Sequence, residues 1–194
     1  MECGLAAYKE VTLLTDLDLI NLSKKGDRLA FNEIVKRHKG KVAATIYGML
    51  GRCDEADDIG QEVFIRFFNS IENFRGDSLL STYLIRIAMN LSLNELHKRK
   101  IKKVLSLDIL IESGFQIKSE TNSAFNGENS EIINNAMNKL SAKYRSVLVL
   151  RLIDGHSSEE TAEILNLPLG TVLSRLSRAQ IKLKELLQPY KLMP

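Results

Sequence analysis

Two helix starts and a sharp break fall close together between Ser157 and Pro168, and this restricts the fold strongly. Ser157 with Glu160 three residues later forms a capping box, and Gly155 suits the end of a preceding helix. Asn166-Leu167-Pro168 then interrupts the helix, because proline disfavours helical backbone in the residue before it and fits the start of a new helix. The pattern predicts a helix-turn-helix.

The helix after the break has an apolar face and a face rich in cationic and hydroxyl groups. The residues predicted to face inward are Val172, Leu176, Ala179 and Leu183. The residues predicted on its other faces are Thr171, Ser174, Arg175, Ser177, Arg178 and Lys182. Arginines and hydroxyls bind both phosphate oxygens and base edges. An ordinary amphipathic helix with a solvated polar side has the same periodicity, so this pattern alone leaves both interpretations open.

Composition limits the other classes of protein. The 194 residues, of which 44% are hydrophobic and 26% charged, allow one or two small domains. The net charge of +3 is mildly basic, so nucleic-acid binding would have to come from local patches. Cys3 and Cys53 fit neither a disulfide framework nor a four-ligand zinc site, and they indicate reduced thiols. With no bilayer-spanning apolar run and no signal-peptide pattern, a cytoplasmic location without membrane insertion is predicted.

Residues 15–103 are predicted to form a first helical domain after an N-terminal extension, 1–14. Thr15 with Asp18 is a plausible helix start, and Gly26-Asp27 is a break. Apolar periodicity then predicts helices over 30–50 and 55–74, and a further helix over 81–103 that ends in a basic run. Between the last two lies the sequence FRGDS, a loop by composition.

The remaining residues divide into a linker, a second domain and a tail. Residues 104–129 have scattered glycines, asparagines and serines without a sustained period, which predicts a flexible linker. Helical signals resume over 130–188, with Ser141 as a cap, and 189–194 form the tail. The predicted fold class is therefore all-α, with two small helical domains and the helix-turn-helix in the second.

An enzyme is the least favoured class. His38, His97 and His156 are scattered along the chain, no metal-ligand cluster is evident, and no phosphate-binding glycine loop follows a strand. We therefore expect no catalytic residue, no cofactor and no metal.

Blocks from both predicted domains, taken together, resemble a known family. GDRLAFNEIVKRH, EADDIGQEVFIRFF and NFRGDSLLSTYLIRIAMN in the first domain, and LSAKYRSVLVLRLIDGHSSEETAEILNLPLGTVLSRLSRA in the second, resemble regions two and four of a bacterial RNA polymerase sigma factor. The resemblance is to the extracytoplasmic-function (ECF) group of the sigma-70 family, and it includes the signature GTVxSRxxRA. It implies a protein that binds core RNA polymerase, recognises the minus-35 and minus-10 promoter elements and promotes transcription initiation.

The resemblance places the contact with core RNA polymerase, at the clamp of its largest subunit, on the helix that contains DDIGQEVF. Helical geometry sets Asp57, Gln61 and Phe64 near one another, and an acidic and amide rim beside apolar atoms suits a partner with basic side chains. The residues predicted to bind the polymerase are Asp57, Asp58, Gln61, Glu62 and Ile65. A solvated acidic face is the alternative, and Val63, Phe64 and Phe67 are expected to fill the core.

The resemblance assigns recognition of the minus-10 element to the FRGDS loop and the helix after it. A flipped base needs stacking or apolar walls and hydrogen-bonding groups for its edge. The predicted residues are Phe74, Arg75, Arg86, Asn90, Asn94, Lys98 and Arg99. Their alternatives are a core aromatic for Phe74, a local backbone hydrogen bond for Asn90, and a solvated helix end for the basic run.

The resemblance also implies that the minus-35 element lies against the second helix of the helix-turn-helix, with the start of that helix in the major groove. The predicted residues are Thr171, Leu173, Ser174, Arg175, Ser177 and Arg178. Three positions depart from the family pattern, and one of them is Thr161, which replaces a usual aliphatic residue in the first helix of the motif. Leu173 stands where a lysine or arginine is common, and Tyr83 stands where tryptophan is frequent and adds a hydroxyl that needs a partner.

Two rival interpretations remain at this point. An autonomous transcription regulator would use the same helix-turn-helix and bind duplex DNA without the polymerase. A helical adaptor with no nucleic-acid role would show no salt-dependent affinity for DNA. The family resemblance also implies an anti-sigma factor as a further partner, because the polymerase-binding surface is apolar enough to invite masking.

Overall fold

The computed structural model describes residues 11–111 and 128–190, and these residues form helices with no strand among them. The first group of helices comprises α1 (Asp16–Lys24), α2 (Arg28–Leu50), α3 (Asp54–Ser70), a 3₁₀ turn (Ile71–Asn73) and α4 (Leu80–Ile111). The second comprises α5 (Glu128–Lys139), α6 (Ala142–Leu148), a π-helical turn (Val149–Ile153), α7 (Ser158–Leu165), α8 (Leu169–Leu187) and a 3₁₀ turn (Gln188–Tyr190). The predicted all-α class is confirmed.

The first domain is a bundle of α2, α3 and α4 with α1 packed on α2. The predicted start of α1 is confirmed, since Thr15 and Asp18 form a complete capping box. Asp27 caps α2 by accepting from the backbone N–H groups of Leu29 and Ala30. These caps satisfy helix donors that would otherwise lack partners, and they place α1 and α2 on either side of the Gly26 turn.

Aromatic rings form the part of this core that lies beneath the FRGDS loop. Phe67 is fully buried, and its ring lies 6.1 Å from that of Phe74 and 6.0 Å from that of Tyr83. The Tyr83 hydroxyl lies 3.2 Å from Ser70 Oγ, so the polar atom that this tyrosine adds has a partner. Val63 and Phe64 are buried as expected, whereas Phe68 is half exposed with its ring edge against Phe31.

Helix α4 extends past the predicted end of the first domain, and residues before its predicted start are held against α2. α4 continues to Ile111, beyond Lys103, and no glycine or proline interrupts the sequence between Leu80 and Ile111. The predicted linker therefore begins within a helix, and its residues 112–127 lie outside the described part of the chain. Of the predicted N-terminal extension, residues 11–14 are described, and the Arg37 guanidinium holds them by donating to the carbonyls of Thr12 and Leu14.

The second domain contains the predicted helix-turn-helix. Ser157 and Glu160 form a complete capping box at the start of α7, and Asn166 ends α7 in the left-handed conformation with φ 51°. Pro168 precedes α8, where Val172 and Ala179 are fully buried and Leu176 and Leu183 are half buried. The inward face predicted for α8 is thus confirmed.

The helix before Gly155 is less regular than its sequence pattern predicts. α6 ends at Leu148, and the next five residues form a π-helical turn. Wide turns of this kind often occur at functional positions, because the extra residue changes which side chains share a face. Here Val149 and Ile153 both face Gly48 of α2: a Cβ added at Gly48 would lie 2.9 Å from Ile153 Cδ1 and 3.0 Å from a methyl of Val149.

The two domains are docked against each other around this close approach. The buried Arg145 guanidinium of α6 donates to the carbonyls of Met49 in α2 and of Asn138 and Leu140 at the end of α5. Thr45 Oγ1 of α2 donates to Asp154 Oδ2 at 2.8 Å. The Arg145–Met49 and Thr45–Asp154 hydrogen bonds join residues about one hundred positions apart in the chain. The docking therefore combines close backbone approach with hydrogen bonds across the junction.

Burial perturbs the ionisable groups at this junction. Desolvation raises the pKa of Asp154 to about 6, against a lowering effect of the Thr45 hydrogen bond and of Lys41. The pKa of His156 is lowered, first by burial and then by Lys41, although Glu160 opposes the shift. Asp154 Oδ1 and His156 Nε2 are buried without a hydrogen-bond partner among the described residues.

Gly48→Leu tests the close approach of the domains. A side chain at this position would overlap Val149 and Ile153, and overpacking of this kind costs about 1–3 kcal/mol. We expect the substitution to separate the domains and to increase the radius of gyration measured by small-angle X-ray scattering, while circular dichroism shows an unchanged helix content.

Gly40→Leu is the matched control, because Gly40 lies in the same helix with open space around it. Both substitutions improve helix propensity by up to about 1 kcal/mol, so they differ mainly in the clash. An unchanged radius of gyration in Gly48→Leu would contradict the docked geometry.

Asp154→Asn tests the ionisation at the junction. The pKa of Asp154 is about 6 in the folded protein, against 3.8 for the free group, so between these values the folded state binds the proton more tightly than the unfolded state. The stability that this proton contributes is therefore lost as the pH rises through this range. Lowering the pH from about 8 to about 5 should therefore stabilise the wild type relative to Asp154→Asn. His156 acts in the opposite direction, but it is present in both proteins and cancels in the comparison. Parallel curves of melting temperature against pH would show that burial does not shift this carboxyl.

Candidate nucleic-acid interface

The residues predicted to bind the polymerase lie on two sides of α3. Asp57, Gln61 and Ile65 line a groove of roughly 540 Å³ between α2 and α3, whose other lining residues include Val42 and Phe64. Ile65 is about half exposed, and the Tyr47 hydroxyl donates to Asp57 Oδ1 at 2.6 Å. This hydrogen bond raises the pKa of Tyr47 and fixes the carboxylate at one end of the groove. The groove thus has apolar walls with an acid and an amide at its rim.

Asp58 and Glu62 face the other side, toward α4. They line a second groove together with Asn94 and Lys98, two of the residues predicted to contact the minus-10 element. Glu62 also accepts from Arg66 at 2.7 Å. The structure therefore separates the predicted polymerase set into a subset beside α2 and a subset beside the predicted DNA-binding helix.

Four of the residues predicted to contact the minus-10 element form one stripe along α4. They are Arg86, Asn90, Asn94 and Lys98. A four-residue spacing keeps side chains near one face, and the first and last of these residues, twelve positions apart, are separated by about 18 Å along the helix axis. Asn90, Asn94 and Lys98 are exposed, and Arg86 is half buried. The stripe presents amides and cations, which suit base edges and phosphates respectively.

The other residues predicted at this element have different environments. Arg75 is exposed in the loop, whereas the ring of Phe74 is 8% exposed and lies among Phe67 and Tyr83. This burial favours the alternative role of Phe74 as a core aromatic. Arg99 is half buried and donates to Cys53, Glu55 and Glu95, which favours a role in joining α4 to the start of α3. Direct contacts of Phe74 and Arg99 with DNA stay predictions.

The face predicted to bind the minus-35 element lies along the first half of α8. Leu173, Ser174, Ser177 and Arg178 are exposed, and Thr171 and Arg175 are half buried. The Ser174 hydroxyl donates to the Thr171 carbonyl at 3.0 Å, within the helix. α8 makes its main contacts with α5, α6 and α7 of its own domain. Domain docking therefore leaves this face largely uncovered.

Docking does engage the stripe on α4. α7, the first helix of the helix-turn-helix, packs on α4, and Glu163 of α7 binds the Arg86 guanidinium at 2.8 Å. No sequence pattern predicts this pair, because the two residues are 77 positions apart and belong to different domains. In the docked arrangement Arg86 is thus held by an acid of the second domain.

Within the described residues, no group of histidine, cysteine and acidic side chains could hold a metal ion, and no helix has the length and apolar character needed to cross a membrane.

Two family models match the chain in the order of its domains. The first, sigma-70 region 2, matches residues 34–101, and the second, sigma-70 region 4, matches residues 130–183. The ECF RNA polymerase sigma factor SigW of Bacillus subtilis is 38% identical over 173 residues, covering 85% of this chain and 92% of the relative. The chain belongs to the sigma-70 family. An ECF RNA polymerase sigma-E factor of Haemophilus influenzae is 34% identical to this sigma factor, covering 91% of the chain and 97% of the relative.

Solved structures agree with the fold of this sigma factor. The sigma factor RpoE from Bartonella quintana, in complex with the anti-sigma factor NepR, has a TM-score of 0.64 at 25% identity and covers 81% of this chain and 96% of its own. CnrH, in complex with the cytosolic domain of CnrY, has a TM-score of 0.65 at 25% identity, covering 90% and 97%. Both neighbours extend across the two helical domains.

Glu163→Ala tests whether the docked domain competes for Arg86. Removing the carboxylate frees the guanidinium, and exposed ion pairs of this kind contribute about 0–1 kcal/mol, so single-stranded DNA should bind up to about fivefold more tightly. The measurement is fluorescence anisotropy of a labelled oligonucleotide with the full-length protein.

Glu159→Ala is the matched control, because Glu159 is an exposed acid one turn earlier in the same helix. It removes the same charge from α7 without touching the Arg86 pair. Equal gains in affinity for both variants would mean that net charge, and not release of Arg86, causes the effect.

Proposed function

We propose that this sigma factor binds core RNA polymerase through α3, reads the minus-10 element with the α4 stripe and the loop before it, and reads the minus-35 element with α8. The observation that supports this most is the four-residue stripe from Arg86 to Lys98, which lies beside one of the two acidic sites on α3. A polymerase surface held at α3 would thereby adjoin the DNA strand held at α4.

The division of labour follows from the side chains. Asp57, Gln61 and Ile65 offer a small apolar groove with an acidic rim, which suits a helix bearing basic residues. The arginines of α8 can contact guanine edges or phosphates, and a bidentate contact with guanine discriminates by about 1–3 kcal/mol. The chemistry proposed is binding, with no catalytic residue, cofactor or metal, and the place of action is the cytoplasm, where the polymerase works.

An anti-sigma factor is a proposed further partner. The sigma factor RpoE from Bartonella quintana was solved with the anti-sigma factor NepR, and in this chain the groove between α2 and α3 offers apolar surface that a helix could cover. Its occupant would compete with the polymerase for the same residues.

Transcription in vitro from genomic fragments tests the proposal. Purified core polymerase is assayed with and without this protein, and RNA start sites are mapped. New starts that depend on the protein and share two spaced upstream motifs are expected. No new starts, together with tight duplex binding by the protein alone, would instead indicate an autonomous regulator.

Two variants assign the sites. Asp58→Ala should weaken binding to core polymerase and leave DNA binding by the protein unchanged. Its control is Asp54→Ala, because Asp54 is an exposed acid at the start of the same helix.

Arg178→Ala should impair minus-35 recognition by about 1–3 kcal/mol if it contacts a base. Its control is Lys184→Ala, because Lys184 is exposed farther along α8. Loss of thermal stability as the sole effect of Asp58→Ala and Arg178→Ala would contradict both surface assignments.

A further inference from the structure

α1 contacts the loop that precedes the α4 stripe, although the two are about fifty residues apart in the chain. Lys24, the last residue of α1, extends its half-buried side chain to the end of the 3₁₀ turn. Its Nζ donates to the Phe74 carbonyl at 3.0 Å and lies 3.4 Å from the Glu72 carbonyl. The ammonium group therefore holds the backbone at the point where the loop begins.

A second close approach lies two helical turns earlier on the same helix. Gly76 has a positive φ of 81°, and a Cβ built on it would lie 3.4 Å from Leu17 Cδ2. Leu17 and Lys24 are seven residues apart, so they share a face of α1. α1 thus adjoins the loop both at its start and at its glycine.

The chemistry of the Lys24 contact explains why a lysine is suited to this position. The last carbonyls of a helical turn lack intrahelical partners, and a cation near them is favoured by both hydrogen bonding and the local dipole. The Phe74 ring is anchored in the core below. With its ring held from beneath and its carbonyl held from the side, Phe74 fixes the direction in which Arg75 and Gly76 leave the bundle.

We propose that Lys24 is a positioning residue that holds the loop at residues 74–79 in the geometry that selects the minus-10 base. This inference rests on the proposed function, because it assumes that the loop reads the minus-10 element. Lys24 acts through the backbone of Phe74 and need not touch DNA itself.

A direct phosphate contact by Lys24 would have a different signature. Loss of such a contact weakens binding about equally for all sequences. It also reduces the slope of the logarithm of the binding constant against the logarithm of the salt concentration by about one. Loss of loop positioning changes the preference among bases and leaves the salt slope as it was. Base preference and salt dependence together therefore separate the two roles.

The test uses holoenzyme assembled from core polymerase and the full chain with Lys24→Met, Lys24→Arg or Lys25→Met. Lys25 is the matched control, because it is the adjacent residue, carries the same charge and is exposed. The template is a pool of duplex promoters randomised across the minus-10 element, below a fixed upstream element taken from a mapped start site. Transcripts are sequenced at several salt concentrations, and each protein's melting temperature is measured.

Lys24→Met should reduce the preference for the best base at the position facing the loop by at least about fivefold, since one mismatched base pair typically costs about 1 kcal/mol or more. Lys25→Met should keep the wild-type preference. Lys24→Arg should recover most of it, because a guanidinium can also donate to the two carbonyls. Leu17→Ala, which removes the apolar side chain beside Gly76 of the loop, should lower the same preference even if Lys24→Met is poorly folded.

Each contrary result has its own meaning. A wild-type preference that both Lys24→Met and Leu17→Ala retain would overturn the positioning role and leave the proposed function standing. A uniform loss of transcription with a reduced salt slope would overturn it in favour of a phosphate contact. Absence of any minus-10 preference in the wild type would overturn the proposed function, and the positioning role with it.

Discussion

The Arg145 guanidinium lies where the ends of α2 and α5 meet the start of α6, and backbone carbonyls of Met49, Asn138 and Leu140 accept its hydrogen bonds. Burial lowers its pKa to about 10, so the group stays cationic at neutral pH. Carbonyls at helix ends offer partial negative charge without the strong desolvation cost of a carboxylate. When the domains separate, water can replace the Met49 carbonyl as a hydrogen-bond acceptor, so the guanidinium does not become a buried charge without a partner. The junction can therefore hold the domains together while the free-energy cost of separating them stays moderate.

The docked arrangement affects the two promoter-reading surfaces unequally. Arg86 on α4 is bound by Glu163, whereas Ser174, Ser177 and Arg178 on α8 are exposed. A protein in this state would present its predicted minus-35 face while part of its predicted minus-10 stripe is engaged by its own second domain. The order of events on a promoter then has a physical basis, because contact at the upstream element requires no separation of the domains and contact by Arg86 requires the loss of an ion pair.

The sequence predicted the local features well, because they depend on neighbours in the chain. The capping boxes at Thr15 and Ser157, the break at Asn166 and the inward face of α8 all follow from spacings of a few residues. Contacts between distant residues were missed, including Lys24 with Phe74 and Arg86 with Glu163, since no pattern in one sequence pairs such positions. The π-helical turn was not predicted for another reason, since its residues have the composition of an ordinary helix. Its effect is to place Val149 and Ile153 against Gly48 of the other domain.

Because α4 is uninterrupted, the orientation of its predicted DNA-binding stripe is tied to the orientation of the end of the helix. This helix carries the four-residue stripe and then continues to Ile111, so its 32 residues form a rod of roughly 48 Å. One residue inserted after Asn94 would rotate everything beyond it by about 100° and advance it by about 1.5 Å. The number of residues in α4 therefore sets the angle between the stripe and the direction in which the chain leaves the helix. Substitutions along the helix preserve this angle, whereas insertions and deletions change it.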